Sequence, residues 1–342
     1  MKWLACELHT HTVHSDGKQT LLELALGAKR LGFDCIALTD HNTMSGLQGK
    51  EEVEKETGIA VLPGMEWTTF YGHMVTVGLE TFVDWRKAEP NTIHASVAGV
   101  HEQGGVAGLA HPFRIGTPVC TGCFWEFNIR DWNDFDYIEV WSTTFAPVKQ
   151  DNQRAFALWT KLLNEGVRIA ATSGRDWHRH EETEDPLSVT YLGLREEESA
   201  SIQESAVNAL KEGRVAVTIG PLVTMEVCSE AGEAAYGLGA AVPAGHPDKK
   251  ECYTSRVRVS FSVREGMWQL PAQSYRLVVN GSEGGLAEMS IGAEDNHYEI
   301  GLGSSEKRPV WIRAELWGNV RGVHALIAFT NAIYFDREAG YE

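Results

Sequence analysis

The chain has 342 residues with 47 acidic against 30 basic side chains, a formal net charge of −17. That balance argues against extended nucleic-acid binding, which needs clustered Lys and Arg, and favours a small-molecule partner. The length suits one large α/β unit plus a smaller second one, no window approaches the roughly 20 apolar residues of a membrane span, and the start MKWLACELHTH lacks the apolar core and cleavage site of a secretory signal, so a cytoplasmic protein without membrane partners is expected.

In chain order, short apolar runs alternate with amphipathic stretches. Leu4–Leu8 reads as a strand and Thr20–Leu31 as a helix opened by a Thr20/Glu23 capping box. Cys35–Thr39 is a second strand, and Ser45–Thr57 a charged helix stopped by Gly58. Strands follow at Ile59–Met65, Met74–Leu79, Val106–Ala110, Tyr137–Trp141 and Val167–Ala171, with helices at Thr92–Gln103 and Lys149–Glu165. A last helix, Ala200–Glu212, leads into Arg214–Thr218. Seven or so parallel-type strands with interleaved helices predict an α/β barrel or doubly wound sheet, with chemistry at the strand C-terminal ends.

After Gly220-Pro221 the texture changes to period-two alternation, as in Arg256–Val263, Tyr275–Gly281 and Val310–Trp317. This pattern predicts antiparallel strands and a small closing β-sandwich, so residues 1–222 and 223–342 are expected as two domains. Six scattered cysteines form no disulfide framework. Cys120 and Cys123 make a lone CxxC in a loop, without the second pair a zinc ribbon requires.

Ten of the thirteen histidines precede residue 181, and the notable ones stand where a predicted strand ends. His9 and His11 are i and i+2, so on an extended chain they project to the same side. Asp16 follows in Ser-Asp-Gly, His41 in Thr-Asp-His, Glu66 in Gly-Met-Glu, His73 after Gly72 and His111 before Pro112. Asp176 and His178 repeat the i, i+2 spacing. Imidazoles and carboxylates without thiolate suit Zn, Mn or Fe, and more than four ligands imply two or three divalent ions. Asp40 and Glu139 are candidates to orient ligand imidazoles by hydrogen bonding. Arg114 and Arg175 are candidates to contact an anionic substrate, and Trp67, Tyr71, Trp141 and Trp177 to line its pocket.

In order and spacing, His-x-His, Ser-Asp-Gly, Thr-Asp-His, Gly-x-Glu, Ala-His-Pro and Gly-x-Asp-x-His resemble the polymerase and histidinol phosphatase (PHP) superfamily of metal-dependent phosphoesterases, over roughly residues 5–222. The segment Gly64–Thr69 with Gly72-His73, the Gly220-Pro221-Leu222 junction and Phe329-Thr-Asn331 further resemble its CehA/McbA-type metallohydrolase branch. The resemblance implies a distorted TIM-like (βα)7 barrel followed by a β-sandwich. It also implies that His9, His11, Glu66 and Asp176 hold one ion, that Glu66, His73 and His111 hold a second, and that Asp16, His41 and His178 hold a third or orient substrate. Hydrolysis of a phosphomonoester or phosphodiester by an activated water is the leading expectation, with His178 or His41 as proton donor to the leaving group. Carboxyl-ester or carbamate hydrolysis at the same centre is the alternative, and a metal-stabilised binding module without activity is a third reading.

Overall fold

Strand β1 (Lys2–Thr10) lies between a parallel neighbour, β2 (Cys35–Leu38), and an antiparallel one, β8 (Val189–Leu194). The structure, a computed structural model, describes residues 1–117, 121–196, 201–229, 234–244, 253–264, 269–302 and 309–336. From β2 the sheet continues in parallel to β3 (Ala60–Thr69), then through β4 (Gly72–Val77) to β5 (Val106–Leu109), β6 (Tyr137–Ser142) and β7 (Ala170–Gly174). Only β4 runs against the other strands from β1 to β7. Its reversal departs from the expected run of parallel strands and has a simple cause: Phe70 and Tyr71 alone connect β3 to β4, far short of the dozen or so residues a parallel crossover needs.

Among the described residues five α-helices connect or cover these strands: α1 (Leu21–Arg30), α2 (Lys50–Thr57), α3 (Ile93–Glu102), α4 (Gln150–Asn164) and α5 (Ile202–Lys211). The Thr20/Glu23 capping box forms in full at α1. The helix expected over Ser45–Thr57 is instead split into a short turn, Ser45–Leu47, and α2, because Gly49 stands between them in the left-handed region at φ 77°. The strand expected at Val167–Ala171 begins three residues later, at Ala170, which places Ser173 and Gly174 inside it.

The sheet does not close into the expected barrel by a ladder. Its order runs β9 (Val215–Thr218), β8, β1, β2, β3, β4, β5, β6, β7, and among the described residues β1 meets the β7 end only at the bridge between Thr10 and Trp177. The edge of β7 that faces β1 and β8 is satisfied by side chains. Asn331 accepts from Ala171 N at 2.7 Å and donates to Ala171 O at 2.9 Å, mimicking a strand neighbour. Thr190 Oγ1 accepts from Ser173 N at 2.8 Å and donates to Ser173 O at 2.9 Å.

Beyond β9 the chain forms two antiparallel arrays. Leu222–Ser229, Tyr253–Ser260, Asn296–Gly301 and the short Ala235–Tyr236 make a four-stranded sheet. Tyr275–Gly281, Gly284–Ile291, Trp311–Val320 and Val323–Thr330 make the other, which joins the large sheet where Val323–Thr330 pairs with β9. A buried ion pair fastens this array to α4: the Arg313 guanidinium, 2.8 Å from Glu315, lies 4.4 Å above Phe156 and 4.8 Å above Trp159. No described helix is long and apolar enough to cross a membrane.

Asn331→Ala strips the partners from two buried backbone groups of β7 and should cost about 2–4 kcal/mol, read as a lower urea midpoint; an unchanged midpoint would contradict this account of the edge. A smaller effect is expected where α3 meets the β5–β6 connection. There His101 Nε2 lies 2.8 Å from Asp136 Oδ2, and that hydrogen bond raises the imidazole pKa against the opposing effect of burial. The stability it adds is complete below the ordinary histidine value of about 6.5 and is lost as pH rises through the raised one. Because the ring is partly exposed the gain is at most about 0.5 kcal/mol, so His101→Gln should lower the melting temperature near pH 5.5 and not near pH 9.

Candidate metal centre

The C-terminal ends of β1, β2 and β7, with the Glu66 position of β3, meet at one end of the sheet. His9 and His11 leave β1 fully buried, while Thr10, on the opposite face, donates to Ala37 O at 2.6 Å and ties β1 to β2. The next turn folds back so closely that a Cβ on Gly17 would lie 2.5 Å from His11 O, and this brings Asp16 to the mouth. Beyond β2, Asn42 grips Thr68 N and Thr68 O at 2.9 Å each, which holds His41 against β3. Asn42, His111 and Asp176 all adopt left-handed φ values, of 55°, 29° and 54°. Each such non-glycine residue stores about 1–3 kcal/mol of strain, a cost that collects at functional sites.

All nine candidate ligands come together, in three groups that share members. His9, His11, Glu66 and Asp176 form the first, Glu66, His73 and His111 the second, and His11, Asp16, His41 and His178 the third. Glu66 is the hub: Oε2 lies 3.2 Å from His9 Nε2 and 2.8 Å from His41 Nδ1, and Oε1 lies 2.9 Å from His73 Nδ1 and 3.3 Å from His111 Nε2. Asp176 Oδ1 stands 3.0 Å from His11 Nε2, and Asp16 Oδ1 stands 3.0 Å from His178 Nε2.

The hydrogen-bond chemistry of three imidazoles, one from each group, fits cations between these atoms. His9 Nδ1 meets Glu139 Oε2 at 2.8 Å, His73 Nε2 meets Thr121 O at 3.3 Å, and His178 Nδ1 meets Asp176 O at 2.8 Å. Acceptors stand on both sides of each ring, so a neutral imidazole satisfies only one of them; when it donates to the outer partner, its other nitrogen turns a lone pair toward a carboxylate oxygen. His9 Nε2 is buried with no hydrogen-bond partner. Lone pairs opposed in this way need a positive charge between them, and an imidazole oriented through its far nitrogen is the usual arrangement of a metal-binding histidine. Without ions, protons supply the charge: burial lowers the His9 pKa, but Glu66, Glu139 and Asp176 carry it well above the ordinary value. Burial likewise opposes ionisation of Glu66 and Asp176, yet the surrounding imidazoles, joined at Asp176 by Arg114, hold both carboxyls well below the usual range. His11 goes the other way, pushed by burial down to about 4.

Around the ligands, Arg114 directs its guanidinium inward to Asp176 and Ser142. Arg175 is placed differently from the expectation that it contacts substrate. Its guanidinium lies buried 4.3 Å above the Trp177 ring, while Asp176 and His178 turn into the ligand cluster. Asp40 is a second correction: it holds no imidazole but accepts from Thr12 N at 2.7 Å, Thr12 Oγ1 at 2.6 Å and Ser15 Oγ at 2.6 Å, which fixes the turn carrying Asp16. Trp67, Trp141 and Trp177 are core residues, each 2 % exposed or less, whereas Tyr71 is 37 % exposed. Cys120 lies outside the described residues. Sequence reasoning passed over Thr68, Ser142 and Glu7. Only Glu7 carried a signal, standing two residues before His9 on the same face of β1.

Residues 7–99 match the family model of the PHP domain. A relative from Methanocaldococcus jannaschii, Uncharacterized protein MJ1587, is 29% identical over 128 residues, 34% of this chain and 71% of that protein. A 5'-3' exoribonuclease of Haemophilus influenzae is 38% identical over 63 residues, but these span only 18% of this chain and 23% of the enzyme. In three dimensions the chain resembles a two-domain protein from Bacteroides vulgatus containing a predicted PHP-like metal-dependent phosphoesterase. The TM-score is 0.51 at 15% identity, covering 97% of this chain and 95% of the other.

Chelation should lower the melting temperature and re-addition of Mn or Zn restore it. Glu139→Ala, which frees the His9 ring, should weaken metal binding by about 10–100-fold in a chelator competition. Wild-type protein indifferent to chelator would contradict the reading of these atoms as ligands.

Proposed function

We propose that the chain, whose residues 7–99 match the PHP-domain model, is a metal-dependent phosphoesterase acting on a small anionic ester. The observation that carries the reading is the set of three imidazoles, one in each group, each held between an outer acceptor and a carboxylate oxygen of the cluster. Divalent ions in these groups supply Lewis-acid stabilisation of an ester oxygen and lower the pKa of water.

The chain's own groups divide the remaining work. Glu66, with one oxygen turned to each of two groups, sets their separation. Arg114, already at Asp176, presents a planar fork at the boundary between ligands and solvent, where it can hold a non-bridging phosphoryl oxygen. His178 and His41 stand at the mouth, with side chains 30% and 20% exposed, and where the outer group holds no ion either could hold a proton where the leaving oxygen departs. Their pKa values fit that task. Burial lowers both, but Asp16 and Asp176 lift His178, and Glu66 with Asp16 carries His41 to about 9. The net charge of −17 favours a small substrate over a polymer. The strands β1 to β7 read as a distorted barrel split between β1 and β7, and the two C-terminal arrays as a β-sandwich domain over 223–342.

With Mn or Zn supplied, p-nitrophenyl phosphate or bis-p-nitrophenyl phosphate should be hydrolysed in preference to p-nitrophenyl acetate and an aryl carbamate. Asp176→Asn should lower kcat at least about 100-fold, equivalent to about 2.7 kcal/mol of barrier. Faster turnover of the acetate or carbamate than of both phosphates would transfer the assignment to carboxyl-ester chemistry.

A further inference from the structure

We infer that Glu7 is the positioning residue that sets the distance between the His9/His11 and Asp176/His178 ligand pairs. The inference rests on the metal-centre reading above and concerns how that centre is held together.

The two pairs come from β1 and β7, strands that no ladder joins. Three side chains span the gap, one at every second residue of β7 and its extension: Asn331 at Ala171, Thr190 at Ser173 and Glu7 at Arg175. Glu7 is the one nearest the ligands. Its Oε1 accepts from Arg175 N at 2.8 Å and from His9 N at 3.2 Å, so a single oxygen bonds the main chain of one ligand and the residue preceding another. Directly beyond it the two chains meet through their own backbones, Trp177 N to His9 O at 2.9 Å and His11 N to Trp177 O at 3.0 Å. Glu7 therefore stands where the side-chain seam becomes a main-chain bridge, and it fixes the register in which that bridge forms. The packing leaves no slack to absorb a slip, since a Cβ on Gly174 would fall 2.5 Å from His9 Cβ and 2.6 Å from Glu139 Oε2.

The carboxylate is 1 % exposed; burial raises its pKa to about 7, and the charge of Arg175 opposes that rise. Positioning and charge balance are separable, because both backbone bonds go to one oxygen. Glutamine keeps that oxygen and discards the charge, whereas alanine removes both.

The test measures metal affinity by chelator competition, and the melting temperature of the metal-free protein, for wild type, Glu7→Gln, Glu7→Ala and Thr190→Val. Glu7→Gln should bind metal within about threefold of wild type, because the accepting oxygen is kept. Glu7→Ala should bind metal at least about tenfold more weakly, a loss of about 1.4 kcal/mol. Thr190→Val, one step further from the ligands along the same seam, should melt lower with metal affinity unchanged. Weakened metal binding in Glu7→Gln overturns the inference even if Glu7→Ala fails to fold, and so does equal weakening in Thr190→Val. Wild-type protein that binds metal but cleaves no phosphate ester removes the activity proposed above and leaves the role of Glu7 standing. Wild-type protein that binds no metal removes both.

Discussion

Glu66 has no solvent exposure, yet four imidazole nitrogens from four histidines lie within 3.3 Å of its two oxygens. A carboxylate so placed is tolerable only if positive charge accompanies it, since an isolated buried ion costs many kcal/mol. Most of the surrounding structure serves this requirement. Short strands deliver histidines from several directions, the β3–β4 hairpin returns His73 to the same carboxylate from the adjacent strand, and acceptors behind the rings turn lone pairs inward. Protons or metal ions can each meet the charge demand, but only cations between the facing atoms let His9, His73 and His178 remain neutral while all three keep their outer hydrogen bonds.

The fold meets a competing demand along the seam between β1 and β7. A fully hydrogen-bonded barrel would place backbone against backbone there and leave its interior edge no polar side chains. In this chain Asn331, Thr190 and Glu7 carry the edge bonds of β7 instead. Two of these three residues come from outside the β1–β7 set: Asn331 follows Val323–Thr330 and Thr190 belongs to β8. The C-terminal strands are thus part of what holds β7 in place, and Asp176 and His178 depend on them at one remove.

The clustering of the candidate ligands was legible because their histidines and carboxylates stand at strand ends, and the i, i+2 spacing of His9 and His11 announces a shared side. Elements with local signals were legible for the same reason: Thr20 and Glu23 cap α1, and Gly58 ends α2. What was hidden depends on partners far along the chain. The acceptor that Asp40 provides for Thr12 and Ser15, the pairing of Asn331 with Ala171 and the grip of Asn42 on Thr68 arise only when separate strands are adjacent. Arg175 is another such case: its place over the Trp177 ring, away from the substrate role expected of it, follows from the tertiary fold. The open seam had no local signature at all, since a strand edge served by side chains and one served by a ladder have the same apolar pattern.

Exposure across the three groups gives the centre a direction. Glu66 is wholly buried and Asp176 has a side chain 13% exposed, whereas Asp16 is 59% exposed and His178 and His41 lie between. Charges in the inner groups interact at low effective dielectric and are strong, fixed and slow to rearrange, while those at the mouth are screened and exchangeable. On the proposed phosphoesterase reading, a substrate approaching from solvent would meet the outer group first, with Arg114 beside it, and its reacting bond would reach the part of the site where charge development is most strongly stabilised. The same gradient explains why the turn bearing Asp16 needs Asp40 as a brace: an exposed ligand on a loop must be fixed by bonds, since packing does not hold it.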